Sequence, residues 1–170
     1  KMIEIVHQTF GSPAPNDYLF SPYCLKSYKQ RWYVLGMDNE KGMLKNFALD
    51  RISEIRMTQK SFRIPNDFDA TKFYKGYLGV YRDLTPVQTI KLKVWVKQRD
   101  YFKTLPLNDS MREVAVYDDW SIFECELAPT WELEMELLQY NDMVEVLEPV
   151  CLRNMMIEHA WNMLHLYNEA

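Results

Sequence analysis

Short runs of β-branched and aromatic residues, each broken off by a turn-forming cluster, fill the first sixty residues of the chain. That is strand spacing, in which successive side chains point to opposite faces. Met2–Phe10 predicts a first strand, and Gly11–Asp17, with two prolines that lack an amide for a ladder, predicts the turn after it. Tyr18–Tyr28 predicts a second strand, interrupted at Pro22 as at a bulge or a sheet edge. Lys29-Gln30 marks a tight reversal into a third, Arg31–Met37. The polar, glycine-ended run Asp38–Gly42 marks a hairpin into a fourth, Met43–Leu49. Asp50-Arg51 is then a one-turn link to a fifth, Ile52–Thr58. Five short strands with tight links predict a small closed barrel of the SH3 or Sm type. Its interior would take Ile3, Ile5, Leu25, Val34, Phe47, Leu49 and Ile55. Because the side-chain period is two, a slip of one residue would exchange inside for outside.

The pattern changes twice more. Residues 63–86 are rich in turn formers and aromatics, with a short helix or turn near Asp69–Tyr77, and predict a connector between domains. From Val87 the alternation returns: Ile90, Leu92 and Val94 oppose Thr89, Lys91 and Lys93 in a strand ending at Val96. A short helix over Lys97–Lys103, strands over Ser110–Tyr117 and Trp120–Leu127, and a helix from Pro129 to Tyr140 follow. Thr130 is placed to cap that helix, and Glu132 and Glu134 favour its positive end. A strand over Met143–Leu147 and a helix to about Tyr167 complete the order β-α-β-β-α-β-α. This predicts a ferredoxin-like α+β domain with one extra C-terminal helix. The expected organisation is a barrel over 1–62, a connector over 63–86 and the α+β domain over 87–170. The last helix spaces Val150, Met156, Ile157, Ala160, Met163, Leu164 and Tyr167 as an apolar stripe, read first as core and second, with Trp161, as a partner surface.

Charge adds an asymmetry. The first 70 residues hold 10 Lys and Arg against 8 Asp and Glu, whereas the remainder holds 10 against 16. The acidic second half argues against nonspecific nucleic-acid binding there, while the first half permits an anionic ligand. No apolar run approaches the roughly 18 residues of a membrane helix. Three scattered cysteines, Cys24, Cys125 and Cys151, read as buried thiols of a reducing, cytoplasmic setting.

Catalytic and cofactor patterns are missing from the sequence. His7, His159 and His165 are too dispersed for a metal set, and no cysteine lies near a second one. No glycine-rich phosphate loop and no nucleophile elbow occurs. Glu132, Glu134 and Glu136 read as a solvated acidic helix face. The expectation is a non-enzymatic chain with no cofactor and no metal.

Three segments carry a family resemblance: Ser21-Pro22-Tyr23-Cys24-Leu25, Arg31-Trp32-Tyr33-Val34-Leu35-Gly36, and Leu44-Lys45-Asn46-Phe47-Ala48-Leu49-Asp50-Arg51-Ile52. In this order and at these distances they resemble the WYL domain, with Val34 interrupting the Trp-Tyr-Leu tripeptide. The downstream part, ending in Val144-Glu145-Val146-Leu147-Glu148-Pro149 and Leu152-Arg153, resembles the extension that commonly follows WYL domains. The resemblance implies an SH3/Sm-like barrel that senses an effector for a bacterial transcription regulator. It also implies a winged helix-turn-helix upstream of Lys1 through which the whole protein meets DNA, a homodimer, and a nucleic-acid or nucleotide effector on the barrel. Trp32 and Tyr33 match the motif, and Arg51 matches the arginine of Leu-Asp-Arg-Ile. Lys45 stands where the family often has arginine, keeping the charge without the planar fork. Where His-x-Ser-Gln is expected in the extension, this chain has Asn108-Asp109-Ser110-Met111.

The candidate ligand-binding residues are therefore His7, Lys26, Arg31, Trp32, Tyr33, Lys45 and Arg51. Each has a plainer reading: Trp32 as barrel core, His7 as a hydrogen-bonded core histidine, Arg51 paired with Asp50, and Lys26, Arg31 and Lys45 as solvated charges. Tyr33 can stack on a base or simply pack. Two functions remain open, an anion-sensing regulatory domain and a dimerisation module without a small ligand.

Overall fold

The structure, a computed structural model, describes residues 1–168. Its first strands are β1 (Ile3–His7), β2 (Asn16–Tyr28), β3 (Arg31–Asp38), β4 (Met43–Ala48) and β5 (Ile52–Met57). They form one antiparallel sheet in the order β4-β3-β2-β1-β5, so β4 and β5 are unjoined edges. The expected closed barrel is not formed. The sheet is instead strongly coiled: Phe47 of β4 lies 5.1 and 4.6 Å from the rings of Phe20 and Tyr18 on β2, and 4.9 Å from His7 on β1. Coiling follows from strand twist, whereas closure further requires the two edge strands to meet in register.

The turns are as tight as their sequences predict. Lys29 and Gln30 both have positive φ, 45° and 64°, the backbone of a two-residue hairpin that matches strand twist. Tyr23 is the extra residue of a bulge in β2, since Pro22 pairs with Gly36 and Cys24 with Leu35. Gly36 permits the close approach there. A Cβ at that position would lie 2.2 Å from the Ser21 carbonyl oxygen and 2.6 Å from the Phe20 ring. Gly36→Ala is therefore expected to cost about 1–3 kcal/mol by overpacking, read as a lowered urea midpoint; an unchanged midpoint would contradict this placement.

The core of this sheet is Ile5, Phe20, Val34 and Phe47, with Ile3, Tyr18 and Ile52 at its margin. Three expected interior residues are exposed: Leu25, Leu49 and Ile55. Leu25 lies beyond the bulge at Tyr23, across from Val34 in the β2–β3 ladder. Leu49 starts the 3-10 turn Leu49–Arg51 and leaves the strand alternation. Ile55 sits on the edge strand β5, which is exposed along most of its length. Phe20 takes the central place.

The chain divides into two compact units, one ending at Phe73 and the next starting at Tyr74. Residues 63–73, read as connector, thus belong with the first unit, and 74–86 with the second. In the first, Tyr23 stacks on Phe62 and meets Phe68 edge-on at 4.9 Å. The short helix α1 (Ala70–Tyr74) follows.

The second unit contains β6 (Gln88–Trp95), α2 (Val96–Thr104), β7 (Arg112–Val116), β8 (Trp120–Leu127), α3 (Trp131–Leu138), β9 (Val144–Glu148) and α4 (Val150–Asn168). Its antiparallel sheet has the order β7-β8-β6-β9. Ile90, Leu92, Val94, Phe123, Cys125, Leu127, Val144 and Val146 share one buried face with Phe102 of α2, Leu133 and Leu137 of α3, and Leu152 of α4. The other face carries a charge ladder in which Lys91 meets Glu124 and Glu148, at 3.6 and 3.2 Å, and Lys93 meets Glu145 at 3.8 Å. The fold is thus mixed α and β, built on two antiparallel sheets.

Four readings need correction here. Thr130 occupies the N-cap position of α3, but its hydroxyl makes no capping bond. Glu132 is not solvated: it is 6% exposed and accepts the amides of Val80 and Tyr81 at 3.1 and 3.0 Å. Cys151 is exposed rather than buried, while burial, and then Glu126, push the Cys125 thiol up to about 12. Finally, Leu152 is the buried residue of α4, whereas Val150, Ile157, Trp161, Met163, Leu164 and Tyr167 are exposed. The stripe is a surface, since Leu152 is the one residue of α4 that is buried among those described. Among the described residues no helix is long and apolar enough to cross a membrane.

Candidate anion-binding site

The inner face of the coiled sheet ends at His7. Alternation along β1 puts Ile3, Ile5 and His7 on this face, and the imidazole is only 5% exposed beside Phe47. The β1–β5 ladder slips here, pairing Val6 with Glu54 but His7 with Ile52. This irregularity, at the end of the 3-10 turn, brings Arg51 beside His7, and the Gln8 amide donates to the Arg51 carbonyl oxygen at 3.0 Å. Bulges of this kind re-aim side chains.

Both ring nitrogens of His7 are buried without a hydrogen-bond partner, and so is Nε of Arg51. Polar atoms in such positions are normally satisfied, and here three unpartnered ones share one neighbourhood. The Arg51 guanidinium lies 4.7 Å from the centroid of the Phe10 ring, which is itself exposed. Burial, and then the Arg51 charge, hold the His7 pKa below its ordinary 6.5, with Asp50 pulling the other way. The imidazole is neutral near pH 7. Asp50 in turn meets Arg31 at 3.3 Å. Arg51, Arg31 and Asp50 together leave one net positive charge at this end of the sheet.

The other candidates divide. Trp32 is 55% exposed, on the same face as core residue Val34, so it is a rim aromatic and not the core residue its plainer reading required. Tyr33 points to the opposite face, directly across from Lys26 in the β2–β3 ladder. Lys45 is committed: its Nζ is 2.8 Å from Asp38 and 4.7 Å from the Tyr18 ring. The structure therefore brings His7 and Arg51 together, with Arg31 joined through Asp50. Phe10 was missed, although an aromatic at the end of a strand and just before Gly11 is a signal for an exposed ring.

Two family models match the chain, the WYL domain over residues 1–57 and the WCX domain over residues 86–164. The chain carries a WYL domain followed by a WCX domain. Among solved structures, this WYL–WCX chain is similar to the crystal structure of a CRISPR Cas-related protein, at 14% identity and a TM-score of 0.60, over 99% of this chain and 48% of that one. It is also similar to proteasome accessory factor B/C (PafBC) of Arthrobacter aurescens, at 21% identity and a TM-score of 0.41, over 92% of this chain and 24% of that one. The WYL–WCX chain thus spans less than half the length of either. No functionally curated protein matches the sequence. The candidate site lies wholly within the WYL match, on residues outside the tripeptide that names the domain.

Proposed function

We propose that this WYL–WCX chain is the effector-sensing part of a transcription regulator. A phosphate-bearing ligand, nucleic acid or nucleotide, binds at the Arg51–His7 end of the WYL sheet, and the binding is relayed to a DNA-binding domain of the whole protein. The observation that carries this reading is the set of orphaned polar atoms on His7 and Arg51 beside a net positive charge. Phosphate oxygens accept from guanidinium N–H groups, and Arg is suited to that geometry. The exposed rings of Trp32 and Phe10 offer flat surfaces on which bases stack. On this reading Tyr33, Lys26 and Lys45 are peripheral to the ligand.

Titrating short single-stranded DNA, RNA and cyclic nucleotides into the chain, followed by fluorescence anisotropy, tests it. Binding should weaken as salt rises, and Arg51→Ala should weaken it by about tenfold or more. A chain that binds none of these, or binds them regardless of Arg51, defeats the reading. The exposed apolar stripe of α4 favours a second one, in which the chain is a homodimerisation module: Trp161 and Leu164 are exposed beside a groove of about 480 Å³ lined by Met156, Ile157, Ala160 and Met163. A stable dimer in sedimentation, together with no anion binding, would establish that alternative.

A further inference from the structure

We propose that the anion is bound together with a proton taken up by His7, so that the site on which the proposed function rests is proton-coupled. His7 is buried, and both of its ring nitrogens are without a partner. A neutral imidazole carries one N–H and one lone pair, whereas the imidazolium carries two donors. Arg51 has only donors to offer, and its buried Nε is unpartnered as well. A ligand that supplies acceptors alone therefore satisfies the arginine and a doubly protonated ring at once. A phosphodiester is such a ligand. With a neutral ring, one of the two nitrogens would keep an unmatched lone pair beside it.

The electrostatics point the same way. The charged groups facing His7 are Arg51 and Asp50, both from the turn Leu49–Arg51. Asn16 of β2, Phe47 of β4 and Ile52 of β5, its other neighbours by register or ring contact, are not ionisable. Burial, and then Arg51, favour the neutral ring. A bound anion cancels the Arg51 charge at the ring and favours the imidazolium. The proton comes from solvent to the ring nitrogen, and no covalent bond changes. Since the bound-state pKa then exceeds the free-state value, affinity rises as pH falls between the two and is flat outside that window.

The test uses a thymidine hexanucleotide without a terminal phosphate, whose phosphodiesters do not titrate between pH 5.5 and 8. Wild-type affinity should rise toward acid, by up to about tenfold per pH unit inside the window. Calorimetry on the wild type in buffers of different ionisation enthalpy should count proton uptake on binding. The 15N resonances of the His7 ring should move to imidazolium values. His7→Gln should remove the pH slope and weaken binding at pH 5.5 by more than at pH 8. Equal affinity across the range with no buffer-dependent heat overturns proton coupling and leaves anion sensing standing, provided that binding still depends on Arg51. Absence of binding at every pH, or indifference to Arg51→Ala, overturns both. If His7→Gln does not fold, the proton count and the ring resonances of the wild type decide alone.

Discussion

Glu132→Ala is expected to destabilise the second unit by about 3–5 kcal/mol, the largest single effect outside the sheet cores. The carboxylate sits in the first turn of α3, 6% exposed, and accepts the amides of Val80 and Tyr81 from a segment fifty residues earlier in the chain. Hydrogen bonds to a charged acceptor contribute about 1.5–3 kcal/mol each, and losing the carboxylate removes both. The helix N-terminus also favours a carboxylate at this point. Gly79 is fitted to it, since a Cβ there would fall 2.3 Å from the carboxylate carbon. Glu132→Gln keeps one acceptor oxygen but turns an NH2 group toward the second amide, so it should lose about half as much. Thermal melts followed by tryptophan fluorescence should show a drop of roughly 15 °C for the alanine variant. A loss below about 1 kcal/mol would mean that the carboxylate does not hold the 79–81 segment.

This residue also shows where local pattern stops being informative. Glu132, Glu134 and Glu136 form a plausible solvated face as long as only α3 is considered. What buries Glu132 is the 79–81 segment, which no periodicity within the helix reports. Glu134 is drawn in similarly, 3.3 Å from the His159 ring of α4. Strands and helices were readable throughout because each depends on a local period and on its turn residues: Lys29-Gln30, Asp38–Gly42 and Asp118-Asp119 all reverse the chain. The closure of the first sheet was not readable, since it depends on whether two strands distant in the sheet meet at their edges. Nor was its interior, because the bulge at Tyr23 and the turn at Leu49 each shift which side faces in.

At the candidate site, residue types were legible and grouping was not. Adjacent aromatics on one strand must point to opposite faces, and Trp32 and Tyr33 do. Which face holds His7 is settled by the coil of the sheet around Phe47, and that puts the exposed Trp32, not Tyr33, on the side of the candidate site. Lys45 and Arg51, six residues apart in sequence, both read as candidate phosphate contacts, yet their partners differ, Arg51 lying over Phe10. Lys45 is at the hairpin end of β4, where Asp38 takes its charge.

That pair carries the second large effect: Asp38→Ala should cost about 3–5 kcal/mol, because it leaves Lys45 without its counter-ion in a half-buried position. Asp38 has no solvent exposure, and its Oδ1 accepts the amides of Glu40 and Lys41 at 3.1 and 3.2 Å, while Oδ2 meets the Lys45 ammonium. The carboxylate thus closes the β3–β4 turn and neutralises the neighbouring strand together. Asp38→Asn separates the two roles, since an amide oxygen still accepts from the turn while the ion pair is lost; it should cost less than alanine. Burial alone would raise the carboxyl pKa, but Lys45 and the two turn amides outweigh it, so the net displacement from 3.8 is downward. A pKa depressed by folding means that the unfolded chain binds the proton first, so this contribution is complete above about pH 4 and disappears as pH falls through the folded value. Urea titrations from pH 6 to pH 2 should therefore show wild type losing stability faster than Asp38→Asn, the two curves converging in acid. Parallel curves would place the stabilisation in the turn geometry and not in the charge.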